Sequence, residues 1–475
     1  MTGLTRLWRT LGVGNEDLQL VLEIVGSEAG ALVLQVSSPA WDNPVAPLVE
    51  SRERPSAAMR PRRLEAESIL GFSKIAVGFS DRLVVLLGPN GSGKTSFLAI
   101  LEFLRQAAGD AGGSELGRLI AYLQPIRTAT PRFGRIFLEL EPEESDGSDE
   151  SADRRTLCYE IQVDYQSGRL VGESLVERWS SGDDRTLVGK AQQHGHCSFL
   201  DETSGTFSDW SNPGSVLALQ DPTLEREPTL MQVGEFLRGT RYFTLDPDHI
   251  AAPAITTVGA ELTESGGELV AVLENIRNRA PERFAEVTER LREVAPYIRD
   301  IAFDPAGKSA REVIVVTRSG TRYPLSVESA GVRRTLALLG LRFGLTRPTC
   351  ALVDEIENGL HPDALLRNVE WLRSMSEESP PADPAGAGAF VVLATHSPVV
   401  VEAFHDRPDA VLLTRRDPKS GELQVVGLSQ AAMVVPREEL EGLLQQFGLR
   451  DLWLAGALEP PDPDGNTTRE RGSGS

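Results

Sequence analysis

Cysteine is scarce in this chain: Cys158, Cys197 and Cys350 are the only three in 475 residues. They lie far apart, so no pair has metal-ligand spacing, and a disulfide-built scaffold is excluded. The reading is reduced thiols in a cytosolic protein. The six histidines also lack metal spacing; the pair in "HGH" at 194–196 has nothing nearby to complete a site and reads as loop. No apolar run approaches the ~20 residues of a membrane span. The N-terminus, "MTGLTRLWRTLGVGNEDLQL", has no long apolar core and meets acids early, unlike a signal peptide. These absences predict a soluble, cytoplasmic protein with no membrane partner. Positive charge is also short. With 48 Lys and Arg against 69 Asp and Glu, the formal net charge is −21, which excludes a global basic footprint for nucleic acid. A local basic groove stays open, because the acids are unevenly placed.

What is present is ample apolar material, 40% of the residues. The length fits a large domain with an insertion, or two domains. Residues 1–63 read as an extension and linker. "LQLVLEIVG" and "ALVLQVSS" suggest two strands joined at "SEAGA". The Pro- and Arg-rich stretch after them carries the main basic cluster, Arg52, Arg54, Arg60, Arg62 and Arg63, read as a solvated linker. From Leu64 the pattern tightens. "RLEAESIL" and "RLVVLLG" read as strands, the second buried on both faces, and "SFLAILEFLRQAA" as a helix. "RIFLELE" and "CYEIQVDY" read as further strands, split by the acidic run "LELEPEESDGSDESAD" (138–153), which is expected to be a solvated loop. Residues 166–240 look polar and turn-rich. Two helices are expected within 266–298, broken near Pro281, followed by a small antiparallel set. The tail after Pro460 reads as disordered by composition.

The strongest motif is "GPNGSGKTS": Gly88, Pro89, Asn90, Gly91, Ser92, Gly93, Lys94, Thr95 and Ser96. It matches the phosphate loop G-x-x-x-x-G-K-[ST], with a buried strand before it and an amphipathic helix after it. Its glycines let backbone N–H groups turn inward around a polyphosphate, and the helix N-terminus adds positive dipole. Lys94 is placed for the β- and γ-phosphates of ATP, and the Thr95 hydroxyl for Mg²⁺. A second motif, "CALVDEIENGLHP" (350–362), supplies the acids. Asp354 ends an apolar strand and is suited to hold Mg²⁺. Glu355 follows on the opposite face of a strand-like backbone, placed to act on the attacking water as general base. Two adjacent acids at the end of a buried strand are costly unless used. The third piece, "VVLATHSP", ends a further apolar strand in His396, suited to sense or polarise the γ-phosphate.

With these three motifs in this order, the chain resembles the ABC-type ATPases of the RecF/SMC/OLD branch, often described as AAA-family ATP-binding proteins. The resemblance spans residues 64 to 428. It rests on the Glu-Asn-Gly-Leu-His-Pro continuation after Asp-Glu, on the closing Thr-His-Ser-Pro, and on "GELVAVLENIRNRAPERFAEV", which is similar to the family's helical insertion. It implies a degenerate signature, Ser-x-Gly-x-x-Arg, at a helix start, falling on Ser329, Gly331 and either Arg334 or Arg333 in "VESAGVRRTLALLG". A Ser hydroxyl and free N–H groups at a helix N-terminus make an anion site, here for the γ-phosphate held by a second subunit. The plain alternative is a helix cap by Ser329 that serves only stability. Gln124 is a weak candidate for the glutamine loop, and Phe72 reads more readily as core than as an adenine-stacking ring.

The expected fold class is therefore α/β: a P-loop NTPase with an ABC-ATPase-like core and an inserted β plus helical subdomain. The core halves are expected at 64–140 and 323–434, the insertion at 141–322, and a C-terminal helix and tail at 435–475. The helices at 266–298 are too short for SMC arms. The stretch after Thr-His-Ser-Pro is too short for an appended nuclease. The expected activity is ATP hydrolysis with Mg²⁺ in a head-to-tail dimer, as a sensor or scaffold working with a separate effector, as in anti-phage defence. The alternative is a RecF-like repair or recombination ATPase that binds DNA, so nucleic acid stays open as a partner.

Overall fold

The computed structural model describes residues 6–13, 16–28, 31–37, 59–109, 113–125, 131–142, 155–182, 184–190, 196–201, 206–211, 228–378, 388–417, 419–428, 448 and 450–452. Two compact units divide between Ser56 and Ala57. In the first, Arg6–Val13, Glu16–Glu28 and Ala31–Ser37 form an antiparallel three-stranded sheet in chain order. The last two are the expected hairpin; the first was not foreseen.

The second unit is built around a six-stranded sheet. Its order is Thr240–Phe243, Cys350–Val353, Phe390–Thr395, Leu83–Leu87, Val411–Arg416 and Leu423–Gly427. The first five run parallel and the last returns antiparallel. Period-two alternation explains why the central strands are apolar throughout. Leu83, Val85 and Leu87 enter one core with Val353, Leu393 and Leu413. Val84 and Leu86 enter the other with Leu352, Val392 and Leu412. Helices Leu269–Arg279, Ala330–Phe343 and Pro362–Glu377 cover the first face. Helix Lys94–Ala108 and an eight-stranded antiparallel sheet cover the second. The small antiparallel sheet of Ile298–Ala306, Ala310–Thr317 and Arg322–Pro324 and the two helices flanking Pro281 form as the sequence suggests.

The strand expected at residues 135–141 forms as Phe133–Pro142, with Leu138 and Leu140 buried and the glutamates turned outward; residues 143–153 of the acidic run lie outside the described residues. Two expectations need correction. Residues 166–240 are not mainly turns. Arg169–Trp179, Asp184–Lys190, His196–Asp201 and Thr206–Ser211 extend the large sheet, and Pro228–Arg238 is a helix. In Arg169–Trp179 the alternation is hidden because inward positions carry Glu173 and Glu177, which are buried against the Tyr159 hydroxyl and the Arg155 guanidinium. His196 accordingly opens a strand. Finally, Arg60, Arg62 and Arg63 lie in the strand Met59–Ile69, not in a linker. Arg62 pairs with Glu141 at 3.1 Å and Arg63 with Glu65 at 2.6 Å, while Arg60 donates to the Ser80 carbonyl. Arg52, Arg54 and the tail after Pro460 lie outside the described residues.

Phe390 is fully buried and meets Phe79 edge-on at a centroid distance of 5.2 Å. Replacing it with Ala removes that contact beneath the central strands. Phe390→Ala is expected to lower the unfolding free energy by about 3–5 kcal/mol in urea titration; a loss under ~1 kcal/mol would show that this face is not packed as described.

Candidate active site

A parallel sheet gathers the carboxyl ends of its strands along one edge, and the sequence-predicted residues meet there. Leu87 pairs with Thr395 and Val353 with Leu393. The phosphate loop, the Asp-Glu turn and His396 therefore leave the sheet side by side, and the Gly88 N–H donates to the Thr395 carbonyl at 3.3 Å.

Residues 88–93 then turn into helix Lys94–Ala108. Gly93 takes φ 106°, in the left-handed region open to glycine. A Cβ there would also meet Leu423 at 2.9 Å. The hairpin 411–427 backs the loop: Thr414 Oγ1 lies 2.6 Å from Ser92 Oγ, and Arg416 donates to the Gly91 carbonyl at 3.2 Å. Pro89, Asn90, Gly91 and Thr95 are exposed, Ser96 is half-buried, and Gly88, Ser92, Gly93 and Lys94 are buried. Lys94 Nζ donates to the carbonyls of Gly88 and Pro89 at 2.8 and 3.1 Å. Burial lowers its pKa from the usual lysine value, opposed by the charges of Glu357, Asp354 and Glu355. An ammonium so placed suits a polyphosphate, which adds negative charge where protein carbonyls leave its third proton.

Asp354 follows the strand Cys350–Val353 and is buried. Its Oδ2 accepts from Thr95 Oγ1 at 2.8 Å and from the Tyr242 hydroxyl at 3.1 Å. Burial and the adjacent carboxylate push the Tyr242 phenol up, so it stays a proton donor. The hydroxyl and carboxylate of Thr95 and Asp354 are hard oxygen donors of the kind Mg²⁺ takes beside phosphates.

Glu355 departs from the expected strand-like geometry. The strand stops at Val353, and Glu355 sits at φ 49°. A non-glycine residue in that region costs of order 1–3 kcal/mol and persists where its surroundings hold it. Its N–H donates to Asp354 Oδ1 at 3.1 Å, and the Asn358 side-chain amide donates to its carboxylate. It is exposed and borders a cavity of about 170 Å³ shared with Asp354, Asp246 and Arg334.

His396 is brought to the same edge by a carboxylate the sequence reading passed over. Glu357 accepts from Thr395 Oγ1 at 2.8 Å, from the His396 N–H at 2.8 Å, and lies 2.7 Å from His396 Nδ1. The only sequence signal was a third acid in "DEIENG".

Ser329 caps helix Ala330–Phe343, accepting from the Val332 N–H at 3.3 Å, and is exposed. Gly331 packs on the turn after the acids: a Cβ there would meet the Gly359 carbonyl at 2.6 Å. Both arginines of the expected signature are used within the chain. Arg333 pairs with Asp248 at 2.8 Å, and Arg334 donates to the carbonyls of Leu245 and Asn358. Gln124 follows helix Gly113–Leu123, and no contact ties it to the phosphate loop among the described residues. Phe72 is fully buried core.

Residues 83–163 and 231–402, more than half of the chain, match the family described as "AAA domain, putative AbiEii toxin, Type IV TA system". The chain belongs to this family. The matched residues contain the phosphate loop, the Asp-Glu turn and His396, so the family's ATPase-type P-loop domain and the converging edge are the same part of the molecule. No curated protein matches. Among solved structures, the chain is similar to an Smc head bound to the C-terminal winged-helix domain of ScpA, with 13% identity over 77% of this chain and 96% of that one, at a TM-score of 0.45. It is also similar to the Smc head with an extended coiled coil bound to the C-terminal domain of ScpA from Pyrococcus furiosus, with 12% identity over 82% and 99%, at a TM-score of 0.43. Among the described residues no helix is long and apolar enough to cross a membrane.

Lys94→Ala is expected to weaken ATP binding at least ~100-fold by calorimetry, since a buried charge-assisted contact to phosphate is lost. Unchanged affinity would contradict the phosphate-loop assignment.

Proposed function

We propose that this protein binds and hydrolyses ATP in composite sites of a head-to-tail dimer, and that the dimer is a sensor or scaffold for a separately encoded effector. One observation carries the composite site. Ser329 and Gly331 open onto a cavity of about 790 Å³ walled by Tyr297, Leu360, His361 and Arg367, and none of residues 88–96 lines it. A signature at a helix N-terminus with its own cavity, apart from its own phosphate loop, fits a nucleotide carried by another copy.

Within one chain the division of labour is direct. Residues 88–96 grip the phosphates through backbone N–H groups and Lys94. Thr95 and Asp354 would hold Mg²⁺, whose charge would offset that building on the phosphate oxygens. Glu355 takes a proton from the attacking water. His396, held by Glu357, meets the γ-phosphate. Ser329 and Gly331 complete the site of the neighbouring copy.

The family description names a toxin of a TA system; a separately encoded partner is in keeping with a system of that kind. The DNA-binding alternative would need a basic groove and steeply salt-dependent binding. The net charge of −21 and the internal pairing of Arg62 and Arg63 favour the first reading.

Glu355→Gln is expected to stop hydrolysis and trap an ATP-dependent dimer or higher oligomer in sedimentation velocity. A monomer at saturating ATP would sink the composite-site reading. Ser329→Arg should leave the ATP Kd within ~3-fold and cut hydrolysis by ~100-fold or more. Equal losses in both would make this helix start merely structural.

A further inference from the structure

We propose that Glu357 is a positioning residue that sets the tautomer and aim of His396; this rests on the ATPase reading above. Glu357 lies beyond the Asp-Glu pair, yet its carboxylate turns back to the neighbouring strand end, accepts from two donors there and lies against the His396 ring. Thr395 Oγ1 donates to Oε2 at 2.8 Å, the His396 N–H donates to Oε1 at 2.8 Å, and His396 Nδ1 lies 2.7 Å from the same Oε1. The Ser397 N–H donates to Thr395 Oγ1 at 3.0 Å, which orients that hydroxyl for its own donation.

An ionised carboxylate only accepts. Nδ1 must therefore carry the proton, and Nε2 is left as the ring's working nitrogen. The two groups differ in access. The Glu357 side chain is 10% exposed and the His396 ring 46%. The carboxylate is the buried anchor and the imidazole the reaching group.

The path of the backbone explains how Glu357 gets there. The left-handed φ of 49° at Glu355 ends the strand direction. The Asn358 N–H then closes on the Glu355 carbonyl at 3.1 Å, and the Leu360 N–H on the Glu357 carbonyl at 3.1 Å. The turn sends Glu355 and Glu357 to different partners: Asn358 for the first, His396 for the second. Asp354, Glu355 and Glu357 thus take separate tasks, holding metal, activating water and orienting the histidine. A glutamate that only tied two strand ends together would have no need of the ring nitrogen.

The test is a double-mutant cycle in kcat with a spectroscopic check. Glu357→Gln should lower kcat by ~10–100-fold while KM for ATP stays within ~3-fold. In a His396→Ala background the same substitution should change kcat by less than ~2-fold, because its effect passes through the ring. Losses that multiply, or an unchanged kcat in Glu357→Gln, would overturn the proposal. In wild-type protein without added nucleotide, long-range ¹⁵N–¹H correlation should show His396 protonated at Nδ1; a ring protonated at Nε2 alone would overturn it as well. That spectrum needs no turnover. A wild-type chain that fails to hydrolyse ATP would contradict the ATPase reading, and the tautomer would still decide the role of Glu357.

Discussion

The ammonium group of Lys94 is buried, with two protons given to the carbonyls of its own loop and the charges of Glu357, Asp354 and Glu355 opposing the burial that would neutralise it. Such a group is costly to enclose unless it is paired. Here the opposing negative charge comes from residues more than two hundred positions along the chain, so the fold must deliver them. The parallel sheet does so. By register alone it sets Leu87 beside Thr395 and Leu393 beside Val353, and the residues that follow each strand become neighbours. The apolar strands, buried on both faces, make the edge rigid. The site is what their ends carry.

Acids at this edge would repel one another if they shared one space. They are separated by what they bond. Asp354 is drawn toward Thr95 and Tyr242, Glu355 toward Asn358, and Glu357 toward Thr395 and His396. The left-handed backbone at Glu355 makes that separation possible within four residues. The helix Ala330–Phe343 joins the same turn from outside, through the close approach of Gly331 to Gly359 and the Arg334 contact with Asn358. The helix start that would meet a second copy's nucleotide is thus packed directly on the turn that carries this chain's own acids.

The sequence made the phosphate loop, the Asp-Glu pair and the histidine legible because each is a short contiguous string at the end of an apolar strand. What it hid were side-chain partnerships across long separations. Tyr242 reaches Asp354 over 112 positions, and Glu357 reaches Thr395 over 38; neither leaves a local pattern. The backbone at Glu355 is hidden from the sequence for a related reason. An apolar run predicts a strand, but not that it stops one residue before the first acid. In the strand Arg169–Trp179 the period-two signal is masked by Glu173 and Glu177, inward glutamates that read as surface until their partners Tyr159 and Arg155 are seen.

The central claim is that one copy of this chain supplies half of each catalytic site, and complementation tests it most directly. A chain carrying Lys94→Ala and a chain carrying Ser329→Arg should each be inactive alone. Mixed in equal amounts, they form some dimers in which the intact phosphate loop of one meets the intact signature of the other. With random pairing of a two-fold dimer, ATP hydrolysis should recover to about a quarter of the wild-type rate per chain. A mixture as inactive as its components, under conditions where the two chains exchange, would contradict the shared site.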